Sequence, residues 1–287
     1  MGFAYITYGE ELKCGGVGKW YIRHFGVSQT GRMKGFEDAG FEIKLPYGKN
    51  EQDLRLRAKV NGRLFDKLRK NDIRFVAADD FINVPMDFEK TEGLLLSAAF
   101  ADDVLLHAAD TLGIDLKHAE VVVKDGGDEK SKTTIVSAVR VVGNLSVCTE
   151  RKGEMEPFLE DIYNETGLCA GCFSDEYSRI MRRADVVINC DGGYDKIRCF
   201  KKGILYIDVF SKARKLEEIK LKRRDINIVG LPVFLGNDEV VSGGVAEAAL
   251  FAWCEEKNIA LKGENIKEYA LKQRIKYMRP HFVQSAG

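Results

Sequence analysis

The spacing of apolar residues divides the chain into alternating strands and helices. Period-two runs predict strands at 4–8, 41–45 and 73–78, and a 3.6-residue period predicts a helix over 52–69. From 89 to 112 the sequence EKTEGLLLSAAFADDVLLHAADTL keeps helical periodicity for about six turns, interrupted at Gly93. A helix of that length suits a link between domains. Beyond Asp115 come a strand at 119–124, the loop Asp125-Gly126-Gly127-Asp128, and a helix with Ile135, Ala138, Val139 and Val142 on one face. Strands at 145–148 and 168–173 follow, and the series closes on RRADVVINCDGG, residues 182–193. Strands at 204–210 and 226–231 bracket SKARKLEEIKLKRR, a solvated helix. The last helices begin at Gly243-Gly244 and span 266–277, the final one expected to pack back on the first domain. The pattern predicts an α/β chain of two domains. Residues 1–112 form a small N-terminal α/β domain of substrate type with its linking helix, 113–260 a doubly wound parallel sheet, and 261–287 a C-terminal helix.

Composition narrows the partners. With 287 residues and 45% apolar content, each domain has material for its own core. Formal net charge is zero, which removes any global bias toward nucleic acid or an anionic membrane. The one basic stretch, 211–224, is interrupted by Glu217 and Glu218 and carries no interleaved aromatic, so no nucleic acid is expected. No window supplies the roughly 20 apolar residues of a membrane span, and the start lacks a secretory pattern, so no membrane partner and a cytoplasmic location are expected. Gly2 fails as a myristoylation site because Ile6 stands where Ser or Thr is needed. A small-molecule substrate is the expected partner, with a homodimer as the one macromolecular association in view. Seven cysteines could include four zinc ligands, Cys169, Cys172, Cys190 and Cys199. Cys169 and Cys172 fall on a predicted strand, however, where side chains three apart point to opposite faces. Reduced structural thiols and no metal are expected.

The strand, glycine loop and helix at 119–142 have the order of a dinucleotide-binding unit. There the glycines let the backbone turn tightly and bring the pyrophosphate to the helix N-terminus. Aligning Gly126 with the first glycine of GxGxxG leaves Gly127 in the turn, Asp128 at the second glycine and Ser131 at the third. An aspartate facing the pyrophosphate would repel it, with Lys130 and Lys132 as partial compensation. At the end of the second strand, where NAD and NADP are told apart, stand Glu150, Arg151 and Lys152. The glutamate suits the ribose diol and the two cations suit a 2′-phosphate. The same loop, GGDEKSKT, also approaches a P-loop with Ser131 in place of its second glycine, and Gly15-Gly16-Val17-Gly18-Lys19 is a second partial match with Lys13 at the leading glycine and Trp20 at the metal-binding hydroxyl. Both fail on a residue that carries chemistry.

Arg183-Ala184-Asp185-Val186-Val187-Ile188-Asn189, following a helix and leading to a glycine pair, resembles the ADVVIN segment of shikimate-dehydrogenase-like and glutamyl-tRNA-reductase-like NAD(P)-binding Rossmann domains. The resemblance covers about residues 110–210. It implies a Rossmann-like fold, NAD or NADP as cofactor, and a place beside the nicotinamide ribose for Asn189, Cys190, Asp191 and Gly192. The family's substrate motif around a catalytic lysine is echoed in Ile82-Asn83-Val84-Pro85, with Lys90 following at a different distance as the catalytic candidate. The family's asparagine-threonine-aspartate motif is missing, so shikimate is not the expected substrate. Gly243-Gly244 with Glu247 one turn on would offer backbone N–H groups to an anion or to the cofactor, or else seat the helix tightly on a sheet. His107 and His118 have no sequence partners. The expected function is an NAD(P)-dependent oxidoreductase acting on a small molecule in an interdomain cleft. The alternative is a non-catalytic Rossmann-like binding or regulatory protein that has lost dinucleotide binding.

Overall fold

The computed structural model describes residues 2–26, 28–36, 38–174, 177–192, 197–208 and 213–283. The chain is α/β and forms two compact units. One comprises Met1–Gly93, Leu235–Leu261 and Lys272–Ile275, the other Leu94–Phe234, Lys262–Leu271 and Lys276–Gly287.

The first unit begins with β1 (Gly2–Thr7), α1 (Gly16–Phe25), β2 (Gln29–Arg32), β3 (Gly40–Lys44), α2 (Leu54–Lys70), β4 (Ile73–Ala78) and β5 (Glu89–Thr91). Its sheet runs in the order β2-β3-β1-β4-β5, parallel except for β2. Asp53 starts α2 by accepting the N–H groups of Arg55 and Leu56, both at 3.0 Å. The helix then buries Leu56, Val60, Leu64, Phe65 and Leu68 against Ala4, Ile6, Ile43 and Val76 of the sheet.

The second unit opens with α3 (Leu94–Ala99) and α4 (Ala101–Leu112), and then alternates β6 (Glu120–Lys124), α5 (Glu129–Ala138), β7 (Asn144–Cys148), α6 (Lys152–Thr166), β8 (Ala170–Phe173), α7 (Tyr177–Arg183), β9 (Val186–Asn189), β10 (Leu205–Asp208), α8 (Ala213–Lys222) and β11 (Asn227–Gly236). These strands are mutually parallel, in the order β8-β7-β6-β9-β10-β11. Strand β6 is therefore the point at which the winding reverses: the chain fills one side through β7 and β8, then crosses to β9 on the other. Both faces are covered, as a parallel sheet requires. Val121, Val123, Val147 and Ile188 pack with Ile135, Ala138 and Leu159 on one face, and Val122, Val187 and Ile228 with Met181, Leu216 and Ile219 on the other. The expected strand at 204–210 is seen as Leu205–Asp208; Val209 and Phe210 lie outside the described residues, as do Gly193 of the expected glycine pair and Ser211 and Lys212 of the expected helix.

After β11 the turn Asn237-Asp238, both residues at positive φ (46° and 69°), leads into β12 (Glu239–Val241) and α9 (Gly243–Glu256), followed by α10 (Ile266–Lys272) and β13 (Ile275–Phe282). Three expectations are corrected here. The helix expected over 89–112 starts only at Leu94: Glu89–Thr91 pair with β4 as an edge strand, Gly93 turns the chain at φ 80°, and Phe100 separates α3 from α4. The helix expected over 266–277 ends at Lys272, since Arg274 adopts φ 56° and starts β13. A C-terminal helix does join the first unit, but it is α9, packed on β1, β4 and β5, whereas α10 belongs to the second. Lys267 fixes α10 there by pairing with Asp102 and Asp103 at 2.7 Å. The two units consequently change at Gly93 rather than after Leu112.

The N-terminus of α9 sits directly on the chain at 91–93. Thr91 Oγ1 donates to Gly244 O at 2.8 Å, Gly93 N–H donates to Glu247 Oε1 at 3.3 Å, and a Cβ added at Gly93 would overlap the backbone of Gly243. Substituting Gly93→Ala combines positive-φ strain with overpacking and should destabilise the protein by about 2 kcal/mol or more. A urea midpoint unchanged from wild type would contradict this packing.

Candidate functional site

The last residues of β6, β7, β9 and β10 lie abreast, because Lys124 pairs in register with Cys148 on one side and Asn189 on the other, and Asn189 pairs with Asp208. All four are buried. An apolar parallel strand that ends on Lys124-Asp125 must find partners for two charges at once. Asp125 solves this through β7. Its Oδ2 accepts the Thr149 hydroxyl at 2.6 Å and Arg151 Nε at 3.3 Å, and its Oδ1 accepts Arg151 Nη2 at 3.1 Å and the Gly127 N–H at 2.9 Å. Arg151 N–H donates in turn to Thr149 Oγ1 at 2.9 Å. Burial works against the charge on Asp125, yet Arg151, Thr149 and the Gly127 N–H outweigh it and hold the carboxyl below the usual carboxylate range.

The loop itself is shaped by two glycines. Gly126 approaches the tip of β9 so closely that any Cβ would overlap the carbonyl of Cys190, and Gly127 turns at φ 85°. Ser131, fully buried, accepts the Gly126 N–H on its hydroxyl at 2.9 Å. Asp128, aligned with the second glycine, is the N-cap of α5: it accepts the Ser131 N–H and hydroxyl, each at 3.1 Å, and pairs with Lys130 at 3.2 Å, its side chain 39% exposed. Lys132 takes no part in this: its Nζ lies 5.6 Å from the centre of the Phe158 ring.

At the end of β7 the three charged residues separate. Arg151 is committed to Asp125 and, at 3.1 Å, to Glu154. Lys152 pairs with Glu156 at 3.3 Å along α6, and Glu150 is exposed. At the tip of β9, the Asn189 amide donates to Asp208 Oδ2 at 3.0 Å and to the Asp191 carbonyl at 2.8 Å, while its Oδ1 accepts the Asp191 N–H at 3.3 Å. The Tyr206 hydroxyl donates to the same Asp208 oxygen at 2.9 Å. Lys124 Nζ stands 3.9 Å from Asp191 Oδ2, and Lys215 Nζ donates to the Gly192 carbonyl.

The structure thus gathers Gly126, Gly127, Ser131, Arg151, Asn189, Asp191 and Gly192 at the carboxyl ends of β6, β7 and β9. Gly243 and Gly244 belong to the first unit, where a Cβ at Gly244 would come within 2.9 Å of the Thr91 carbonyl oxygen. Lys90 lies on edge strand β5 with its ammonium 2.6 Å from Glu92 Oε1. His118 pairs with Asp115 on the surface at 2.6 Å, and His107 meets the edge of Tyr277. All seven cysteines are free, and burial pushes the thiols of Cys148 and Cys190 up to about 12, away from nucleophilic use. No group of three or more potential metal-ligating side chains occurs among the described residues, and no helix of the described residues is long and apolar enough to cross a membrane. The sequence pattern gave Thr149 and Tyr206 no place here and gave Asp125 no partner. The available signal was an apolar strand ending on Lys-Asp, which demands a compensating cation.

Because Asp125 titrates low in the folded protein, its pairing stabilises at neutral pH, and that contribution is lost as pH falls through its depressed value, below about 4. Replacing Arg151 with Met strands the carboxylate and should cost about 3 kcal/mol at pH 7. Measured by urea unfolding, the gap from wild type should narrow markedly near pH 3. A pH-independent gap would show that Arg151 contributes packing rather than charge.

No protein-family model matches the chain, and a search of curated proteins finds no match. Among solved structures, the chain is similar to quinate dehydrogenase from Corynebacterium glutamicum in complex with NAD, at 12% identity and TM-score 0.40 over 94% of this chain and 99% of that one. It is similar to shikimate 5-dehydrogenase from Listeria monocytogenes, solved with shikimate and NAD, at 10% and 0.37 over 93% and 96%. L-tryptophan dehydrogenase from Nostoc punctiforme matches at 13% and 0.41 over 95% and 88%.

Proposed function

We propose that the second unit binds a nicotinamide dinucleotide and that the chain is an NAD(P)-dependent oxidoreductase acting on a small molecule. The observation that carries this reading is the strand order. Counted from β6, the six parallel strands run 3-2-1-4-5-6, and the glycine turn entering α5 lies at the switch point between the first and fourth of them, where sheets of this class take their ligands.

The residues at that place fit the group. Gly126 and Gly127 leave no side chain between backbone and ligand, and the N-terminus of α5 favours an anion. The two acids of the loop are offset, Asp125 by Arg151 and Asp128 by Lys130. Asn189, Asp191 and Gly192 stand where the nicotinamide ribose would approach the tip of β9. With Arg151 and Lys152 engaged by carboxylates, the exposed Glu150 is left to read the adenosine ribose, which favours NAD over NADP. The bound cofactor would supply the hydride chemistry. The protein's contribution is orientation and the exclusion of a side chain from the pyrophosphate path.

Thermal shift with NAD, NADH, NADP and NADPH tests the reading. A ligand at 100 times its dissociation constant should stabilise by about 2.7 kcal/mol. No shift with any of the four would leave the non-catalytic Rossmann-like protein as the better description. Replacing Glu150 with Arg should move preference toward NADP by roughly tenfold or more, about 1.4 kcal/mol. An unchanged ratio of dissociation constants would remove Glu150 from the site.

A further inference from the structure

We propose that the α1–α2 face of the first unit docks on an anionic lipid surface, the aromatic side chains of α1 entering the interface and the basic side chains of α2 meeting the headgroups. The proposal is independent of the dinucleotide reading.

Helix α1 is turned inside out relative to an ordinary surface helix. None of its residues is buried, and the side that packs carries Lys19 and Arg23 beside one apolar residue, the half-buried Ile22. Lys19 pairs with Glu51 at 2.7 Å, Arg23 pairs with Asp53, and the Arg63 guanidinium of α2 donates to the carbonyls of Arg23 at 3.0 Å and His24 at 2.7 Å. The opposite stripe is apolar and faces solvent. Val17 is 84% exposed, Trp20 52%, Tyr21 60% and Phe25 58%. At 100° per residue these fall within one side of the helix. They form a continuous patch, with Trp20 4.7 Å from His24 and Tyr21 5.3 Å from Phe25 between ring centroids.

Two of the cations of α1, Lys19 and Arg23, are paired with Glu51 and Asp53, so the excess charge beside this stripe lies on α2. Helix α1 carries Lys19, Arg23 and His24 and no acid, and the exposed side of α2 carries Arg55, Lys59, Arg63 and Lys67 against Asp66 alone before its last turn. A zero net charge for the whole chain conceals this local excess. Aromatic residues flanked by cations have the composition of an interfacial element that rests on lipid without crossing it. A second copy of the chain is the poorer occupant. Three aromatic side chains about half exposed offer roughly 300 Å², well short of the ~800 Å² per partner of a stable interface, and the basic flanks of two copies would repel.

The test is co-sedimentation of the full chain with vesicles of phosphatidylcholine alone and of phosphatidylcholine with about one-third phosphatidylglycerol. Wild type should bind the anionic vesicles and not the neutral ones, and should be released by raising salt. The triple variant W20S/Y21S/F25S should bind at least about tenfold more weakly, and R55E/K59E should also lose binding, both keeping the wild-type melting temperature. No binding to anionic vesicles, or equal binding to both kinds, would overturn the proposal. So would sedimentation velocity showing a dimer that the triple variant abolishes while vesicles remain unbound. Should the triple variant fail to fold, the salt titration of wild type and the charge variant decide alone.

Discussion

Much of the carboxyl edge of the second unit's sheet depends on one ion pair, the buried Asp125 with Arg151. Asp125 closes the strand that lies at the centre of the winding, and an isolated carboxylate there would be costly to desolvate. Arg151 removes that cost by reaching across from the end of the neighbouring strand, and Thr149 and the Gly127 N–H complete the carboxylate's partners. One interaction therefore sets three things: where β6 stops, how the glycine turn is held, and where the end of β7 points. It also fixes the shape of the glycine turn through contacts within the protein, the Gly127 N–H donating to Asp125.

The same economy governs the other side of the turn. Gly126 has to be glycine because the tip of β9 passes against it, and Asn189 fixes that tip by bonding both ahead to Asp191 and sideways to Asp208. Loop and tip are thus mutually defined, each limiting the positions the other can take. Asp128 belongs to this arrangement as a helix cap, a role that does not depend on what the loop binds.

Most of the parallel sheet was legible in the sequence, since strands buried on both faces appear as short apolar runs such as those at 121–123 and 186–188. The elements that escaped notice are those with no buried stripe. Strand β2, Gln29–Arg32, is exposed throughout, and α1 has no buried residue and most of its apolar side chains exposed. The three-residue strand β5 was absorbed into the helical period of α3 and α4. Gly126, Gly127 and Ser131 stand together in one turn because they are close in sequence, but the pairing of Arg151 with Asp125, 26 residues earlier, leaves no local pattern, since none records which cation a buried carboxylate will meet. Nor does sequence show that Asp128 caps α5; an N-cap and a loop acid look alike until the helix start is fixed.

Helix α9 covers the sheet of the first unit, although 141 residues of the chain, Leu94–Phe234, intervene between the two parts. During synthesis, β1, β3 and β4 emerge early with one apolar face uncovered, and the helix that seals it appears only after the whole parallel sheet of the second unit has been made. At ordinary elongation rates of about 5–20 residues per second, that is an interval of roughly ten to thirty seconds. The sheet of the first unit therefore lacks its covering helix until synthesis has passed Glu256.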